Sequence, residues 1–226
     1  MGVTKTDFMR GMQCPRMLWL DKHHPEFKVI PPMIQKKLDK GNEFGDEAMA
    51  MFGAFEEMTV FKPGTTYPDK KAMVLLTREH LDKCTSVICE AAFDYNGHYC
   101  AVDILKKVPG GYEMYEVKNS PEVTDQFIKD AGFQAYILRH CGLNLLRISI
   151  VYHGKDENNP FEIQDVTSEA NAYAPIVEAN IDRLAAVKVQ EAEVCCSCGD
   201  QCREPYECWY FGHCHQAQHY CEGEIV

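Results

Sequence analysis

Three ionisable residues stand where apolar ones are expected. Asp103 lies in Ala-Val-Asp-Ile-Leu and Glu116 in Met-Tyr-Glu-Val-Lys, two apolar runs separated by the turn signal Pro109-Gly110-Gly111. Charge inside such runs needs a reason, because burying it unpaired is expensive. A two-residue turn at Pro109-Gly110 sets Val108 opposite Gly111, and counting back along the hairpin sets Asp103 directly opposite Glu116. Lys118 lies two residues beyond Glu116 and shares its face. Facing carboxylates repel, and a divalent cation between them removes that cost. Hard oxygen ligands suit Mg²⁺ or Mn²⁺. A lysine beside such an ion can orient or help deprotonate an attacking water and stabilise the charge of a phosphoryl transition state. The bland alternative is a Glu-Val-Lys tripeptide on a solvent-facing sheet. Because the carboxylates repel, removal of one is expected to leave stability largely intact.

Sulfur is the second chemical signal. The 226 residues include twelve cysteines, and a chain without an export signal uses so many for metal or cluster ligation sooner than for disulfides. Cys84, Cys89, Cys100 and Cys141 are scattered among apolar segments and read as ordinary buried thiols. Cys195, Cys196, Cys198, Cys202, Cys208, Cys214 and Cys221 crowd the last stretch, and Cys14 stands alone near the start in Cys-Pro-Arg-Met-Leu-Trp-Leu. Four thiolates hold a [4Fe–4S] cluster. Zinc competes: Cys195-x2-Cys198 is half of a zinc site, Cys202, Cys208 or Cys214 can supply the rest, and His213, His215 and His219 add donors.

The elements that must position these groups follow from periodicity and turn chemistry. A helix is expected over residues 6–21 with Thr6 as its cap, divided by Pro15 into two short pieces. Pro31-Pro32 opens a second helix, roughly 33–52, and a third covers 70–84. Ser86–Phe93, His98–Val108 and Gly111–Lys118 read as strands, with Asn96-Gly97 as a turn between the first two. A helix over 124–140, a buried strand at Leu145–Tyr152, a weaker strand at Phe161–Val166 and a long helix over 168–192 complete the order. The class is α/β: a mixed sheet core flanked by helices. One domain spans 1–226, with a helical part (1–85), a sheet core (86–166), and a final helix with the cysteine-rich region (167–226).

Composition sets limits. The chain is 46% hydrophobic and 25% charged, too apolar for disorder. No run of 18 apolar residues marks a membrane span. Lys5, Asp7, Arg10 and Arg16 interrupt the first twenty residues, and no cleavage site follows, which predicts a cytoplasmic chain. The formal net charge of −11 excludes passive nucleic-acid binding through a broadly basic surface. Lys36, Lys37, Lys40, Lys70, Lys71, Lys106 and Lys107 are candidates for a local basic groove, and Trp19 and Trp209 for base stacking, although solvated surface and packing explain them equally.

Together these motifs resemble the PD-(D/E)XK nuclease superfamily. A strand with Asp, a hairpin, Glu-x-Lys and a following helix with Gln make up its core pattern. A Cys-Pro-x-x-Leu-Trp-Leu start with a far C-terminal cysteine group is similar to its RecB-like branch, which includes the CRISPR-associated Cas-four exonucleases and AddB-type nuclease domains. The resemblance runs from about Thr4 to Cys214. It implies a restriction-endonuclease-like core and a DNA nuclease, a single-strand exonuclease above all. Such an enzyme cleaves phosphodiesters by a metal-activated water, in CRISPR adaptation (antiviral defence) or in DNA recombination and repair. It implies that Asp103, Glu116 and the Val117 carbonyl bind the metal, that Lys118 serves the water, and that Gln134 positions Lys118 or the DNA, with Asp130 one turn earlier on the same helix face. It also implies that Cys14, Cys202, Cys208 and Cys214 hold a [4Fe–4S] cluster joining the chain ends. The sequence departs from the pattern in places. Leu138 stands where the family carries Tyr, with Tyr136 two residues earlier. The family's metal-binding His is replaced by Gly41-Asn42-Glu43, so Glu43 or Glu90 is the candidate further ligand. Pro205 stands where the first cysteine of a Cys-x2-Cys-x5-Cys run would fall. The competing reading is an inactive iron–sulfur or zinc-bound scaffold in a DNA-processing complex.

Overall fold

Alternating apolar runs and tight turns build one mixed sheet, described here from a computed structural model that covers residues 2–32, 43–156 and 159–216. Its strands are β1 (Glu56–Glu57), β2 (Val87–Tyr95), β3 (His98–Val108), β4 (Gly111–Val117), β5 (Leu145–Asp156) and β6 (Asn159–Asp165), in spatial order β1-β2-β3-β4-β5-β6. β2, β3 and β4 form an antiparallel meander, β1 runs parallel to β2, β5 parallel to β4, and β6 returns antiparallel to β5. Asn96 and Gly97 both take positive φ, 53° and 86°, the mirror-image turn that matches strand twist in a two-residue hairpin. The second hairpin turns at Pro109-Gly110 with Val108 paired to Gly111, the register expected from the sequence. β1 gave no such signal, since two residues are too few to show a period.

A parallel pair cannot be closed by a tight turn, so β4 and β5 are joined through helix α5 (Asp125–His140). The run Ala131–Leu138 of α5 is wholly buried, and the helix packs on β2, β3, β4 and β5. On the other face Val87, Cys89, Ile104, Tyr115 and Val151 form a core cluster with Ala48 and Met49. The last two belong to helical residues 43–49 (α3), which run into a 3₁₀ turn at Ala50–Phe52. Residues 33–42 of the expected second helix lie outside the described residues. Helix α4 (Lys70–Asp82) lies against β2, where the Thr77 hydroxyl accepts a hydrogen bond from the Ala92 N–H at 2.9 Å.

The chain divides into two compact units, Leu38–Val177 and a second built from both ends, Met1–Lys37 with Glu178–Val226. The sheet and α3 to α5 belong to the first. Short helix α6 (Thr167–Ala172) closes against α5, where Gly132 lets the Ala170 carbonyl and the Tyr173 side chain approach to 3.0 Å of its would-be Cβ. Tyr173 separates α6 from α7 (Ala174–Val189), so the expected helix over 168–192 is two helices. Pro175 has no N–H to continue the earlier ladder.

The second unit begins with α1 (Lys5–Gln13) and α2 (Pro15–His23). Cys14 between them is extended, φ −156° and ψ 112°, because the Pro15 ring disfavours helical backbone at the preceding residue. Thr4, not Thr6, caps α1: its hydroxyl accepts from the Asp7 N–H at 3.2 Å and the Asp7 carboxylate accepts from the Thr4 N–H at 2.9 Å. The C-terminal stretch is tied to these helices directly. Lys188 pairs with Asp7 at 2.5 Å and Arg16 with Glu193 at 2.6 Å. The Trp19 indole donates to the Gln190 carbonyl at 3.0 Å, and the Tyr210 hydroxyl to Asp21 at 2.8 Å. No described helix is long and apolar enough to cross a membrane.

Candidate functional site

The β3–β4 ladder runs from Val108↔Gly111 to Ile104↔Tyr115, and one step further along this register Asp103 stands opposite Glu116. Regular pairing stops at that step. The Val117 N–H turns to the Asp103 carboxylate instead, at 2.6 Å. Glu116 is 1% exposed, and its oxygens meet the Lys118 ammonium at 2.8 Å and the Gln134 side-chain amide at 2.5 Å. Lys118 also reaches Asp130 at 2.6 Å. Gln134 and Asp130 come from α5, one turn apart, so that a single helix face looks down on the end of β4. The sequence reading had these residues as one constellation, and the structure brings Asp103, Glu116, Lys118, Gln134 and Asp130 together. The Val117 side chain points the other way, against the core cluster of the opposite face.

Lys118 is the electrical centre. Burial works against its charge, but Glu116, Asp130 and Asp103 around it, and its bond to Asp130, outweigh that and hold its ammonium far above the ordinary lysine range. It is therefore a fixed cation at neutral pH, suited to stabilising developing negative charge and not to accepting a proton. The same geometry corrects the expectation that removing a carboxylate is harmless. Glu116 is buried and paired, and its loss leaves Lys118 and Gln134 short of their acceptor.

One polar atom of this site lacks a partner. The Gln134 carbonyl oxygen Oε1 is buried with no hydrogen-bond donor, on a side chain with 0% exposure. Its orientation is fixed, since only the NH₂ end of the amide can face the Glu116 carboxylate. Leu138 and Tyr136 are core residues of α5, and Tyr136 packs on Tyr95 and His140. Glu43 is exposed. Glu90 sits in β2 with a left-handed backbone, φ 52°.

The lysines proposed for a groove are differently engaged. Lys70 lies over the Tyr99 ring at 4.8 Å; Lys106 lies over Phe52 at 4.5 Å and pairs with Glu113 at 4.0 Å. Lys36, Lys37 and Lys40 fall outside the described residues. Trp19 is 5% exposed and serves packing, stacked on His23 at 4.5 Å. Arg10 and Lys28 lie over the Trp209 ring at 4.3 and 4.8 Å.

In the second unit Cys14, Cys202 and Cys208 are buried in one cluster with Met17, Trp19, Leu20 and Tyr210, and Cys196 and Cys214 pack against it. All four expected cysteines therefore belong to this cluster or pack against it. The Cys14 thiol, however, hydrogen-bonds the sulfur of Cys196, at 3.6 Å. The sequence reading set Cys196 aside, yet a signal was there: Cys196, Cys202, Cys208 and Cys214 recur at a constant interval of six. The Cys14 thiol hydrogen bond pulls Cys196 down to about 6, helped by Gln201 and Arg16, while that bond and burial push Cys14 up. His219 and Cys221 lie outside the described residues. Of the four scattered cysteines, Cys89 and Cys100 are buried as expected, but Cys84 and Cys141 are exposed. They follow the ends of α4 and α5, where the chain leaves the core.

Among the described residues no three His, Cys, Asp or Glu side chains converge to metal-ligand distances. In the first unit Lys118 balances carboxylates that otherwise repel. The donor chemistry nonetheless fits: hard carboxylate oxygens and an orphaned buried acceptor there, and a thiol group in the second unit.

No family model matches the chain, and no curated protein matches it. Among solved structures the chain is similar to one described as "Crystal structure of SSO0001", with 10% identity, a TM-score of 0.37, and coverage of 85% of this chain and 86% of that one. A likeness at that level carries no argument about activity.

Proposed function

We propose that the chain is a divalent-metal-dependent deoxyribonuclease of the PD-(D/E)XK type, acting on single-stranded DNA as an exonuclease. One observation carries the reading: a buried glutamate opposite an aspartate on the neighbouring strand, ringed by Lys118, Asp130 and Gln134. Asp103, Glu116 and the Val117 carbonyl would hold Mg²⁺ or Mn²⁺, which when bound activates water and neutralises phosphoryl charge. Lys118, fixed as an ammonium, steadies the charge that grows on the attacked phosphate. Gln134 holds Glu116 in place, and its free carbonyl oxygen accepts a donor that arrives with substrate or solvent. The cation is also an electrostatic necessity. Asp103, Glu116 and Asp130 outnumber Lys118, so a phosphodiester is repelled until a cation reverses the local sign.

Cys14, Cys202, Cys208 and Cys214 would carry a [4Fe–4S] cluster, consistent with the packing of Cys214 against the buried Cys14, Cys202 and Cys208. A zinc site is the second reading, favoured by the 3.6 Å between Cys14 and Cys196. Two thiolates on one tetrahedral zinc, at about 2.3 Å each, lie roughly 3.8 Å apart. A cluster assigns one thiolate to each iron, so these two cysteines would compete for one corner.

The test is anaerobic purification with iron, sulfide and zinc assays, then digestion of labelled single-stranded DNA with Mn²⁺ or EDTA. Degradation that needs Mn²⁺ and vanishes in Asp103→Asn and Glu116→Gln is expected. Degradation that persists in EDTA or in both variants would sink the catalytic assignment, and a folded protein that binds Mn²⁺ without cutting would support the scaffold reading.

A further inference from the structure

Glu90 continues the acidic row onto a third strand. The β2–β3 ladder keeps one register from Val87↔Lys106 to Cys89↔Ile104 and resumes in that register from Ala91↔Val102 to Tyr95↔His98. The omitted step is Glu90 opposite Asp103. The β3–β4 register in turn sets Asp103 opposite Glu116. β2, β3 and β4 thus each place one carboxylate residue at the same level of the sheet, at the level where both ladders are interrupted.

Glu90 also adopts φ 52°, a backbone conformation in which glycine is at ease and a long side chain is not. Conformation alone would select glycine or asparagine there. A glutamate kept at a strained position, beside another carboxylate, implies that the carboxylate is used.

We propose that Glu90 is a third carboxylate ligand, forming with Asp103 and Glu116 a hard-oxygen site for one divalent cation of the Mg²⁺ or Mn²⁺ class. The inference rests on the metal-site reading given above and decides which of its two candidate further ligands joins the site. An independent observation points to a ligand at this level: Gln134, 0% exposed and anchored on Glu116, presents a carbonyl oxygen with no donor. A buried acceptor without a donor is costly unless something that binds there supplies one. Glu43, the other candidate, is exposed and belongs to no strand of the row.

The experiment is titration with Mn²⁺, followed by the loss of the free-ion electron paramagnetic resonance signal, beside thermal melting in EDTA. The variants are Glu90→Gln, Glu90→Gly, Asp103→Asn, Glu116→Gln and, as a charge control outside the row, the exposed Glu57→Gln. Glu90→Gln should weaken Mn²⁺ binding tenfold or more without lowering the melting temperature. Glu90→Gly should lose the same affinity yet melt at or above the wild type, since glycine accepts the left-handed backbone. Glu57→Gln should bind as the wild type does. If Glu90→Gln and Glu90→Gly bind Mn²⁺ normally while Asp103→Asn does not, the third ligand is wrong and the two-carboxylate site stands. If all three row positions tolerate substitution, the metal-site reading falls with it. Should Glu90→Gln fail to fold, Glu90→Gly decides alone.

Discussion

Replacing Lys118 by methionine removes the ammonium that lies between Glu116 and Asp130 while keeping an apolar stem of similar length. Lys118 lies 2.8 Å from Glu116 and 2.6 Å from Asp130. Removing one partner of a buried pair costs about 3–5 kcal/mol, because the remaining charge is left uncompensated. Glu116 is 1% exposed, but Lys118 and Asp130 keep 18% and 19%, so the lower figure, about 3 kcal/mol, applies. In a chain of 226 residues that lowers Tm by roughly 6–12 °C. The sign with pH follows from the raised Lys118 pKa. Its contribution is complete below the unfolded lysine value of about 10.4 and fades only as pH rises through the still higher folded value. The assay is melting at pH 7 in EDTA and again in Mn²⁺. A divalent cation can take over the counter-charge, and at a hundred times its Kd it adds about 2.7 kcal/mol. Mn²⁺ should therefore restore most of the Lys118→Met deficit and raise the wild type less. A variant that melts with the wild type in EDTA would refute the counter-ion argument. A deficit that Mn²⁺ leaves untouched would refute the claim that the carboxylates form a cation site.

Three further outcomes concern the unit built from the chain ends. Asp7→Asn should cost about 1 kcal/mol through the weakened capping box. Asp7 loses by burial but is held below the ordinary carboxylate range by Lys188 and Thr4. This stabilisation is present above the unfolded value of about 3.9 and disappears as pH falls through the lower folded one, so wild-type and variant melting curves should converge as pH falls below the ordinary carboxylate range. Cys14→Ala should lower bound metal and melting temperature together, while Cys84→Ala and Cys141→Ala leave metal content unchanged. Cys196→Ala separates the two metals: it keeps iron if Cys14, Cys202, Cys208 and Cys214 hold a cluster, and loses zinc if Cys196 shares a zinc with Cys14.

The hairpin register was legible because the turn is chemically explicit: Pro109-Gly110-Gly111 admits few strand pairings, and one pairing fixes every other. The sequence also showed Lys118 on the side of Glu116, since strand periodicity is exact. It did not show that Lys118 would bind Asp130 and Glu116 at once, a contact set by how α5 lies across the sheet. Helix 168–192 was misread because Ile176, Ile181 and Leu184 keep helical spacing across α7, while the break at Tyr173 precedes them. Thr6 was read as the cap from residue type alone; the Asp7 carboxylate three residues beyond Thr4 completes a capping box there instead. Cys196 was passed over because adjacent Cys195 and Cys198 suggested a different spacing.

The acidic row is poor structural chemistry twice over, and this is the strongest reason to look for its use. Placing carboxylates opposite one another on adjoining strands is repulsive, and interrupting both ladders at that level forfeits backbone bonds worth about 0.5–1.5 kcal/mol each. The repairs are local and made by side chains. Near the gap in the β2–β3 pairing the Ala92 N–H bonds to Thr77, and at the end of the β3–β4 pairing the Val117 N–H bonds to the Asp103 carboxylate. Asp103 thus has two duties, one to the sheet and one to whatever the site binds. Alanine at this position would remove both, and a failed assay would say nothing about chemistry. Asparagine keeps an oxygen for the Val117 N–H and gives up the charge. Asp103→Asn is therefore the variant in which stability and metal binding should part: melting near the wild type in EDTA, with Mn²⁺ affinity and cleavage lost together.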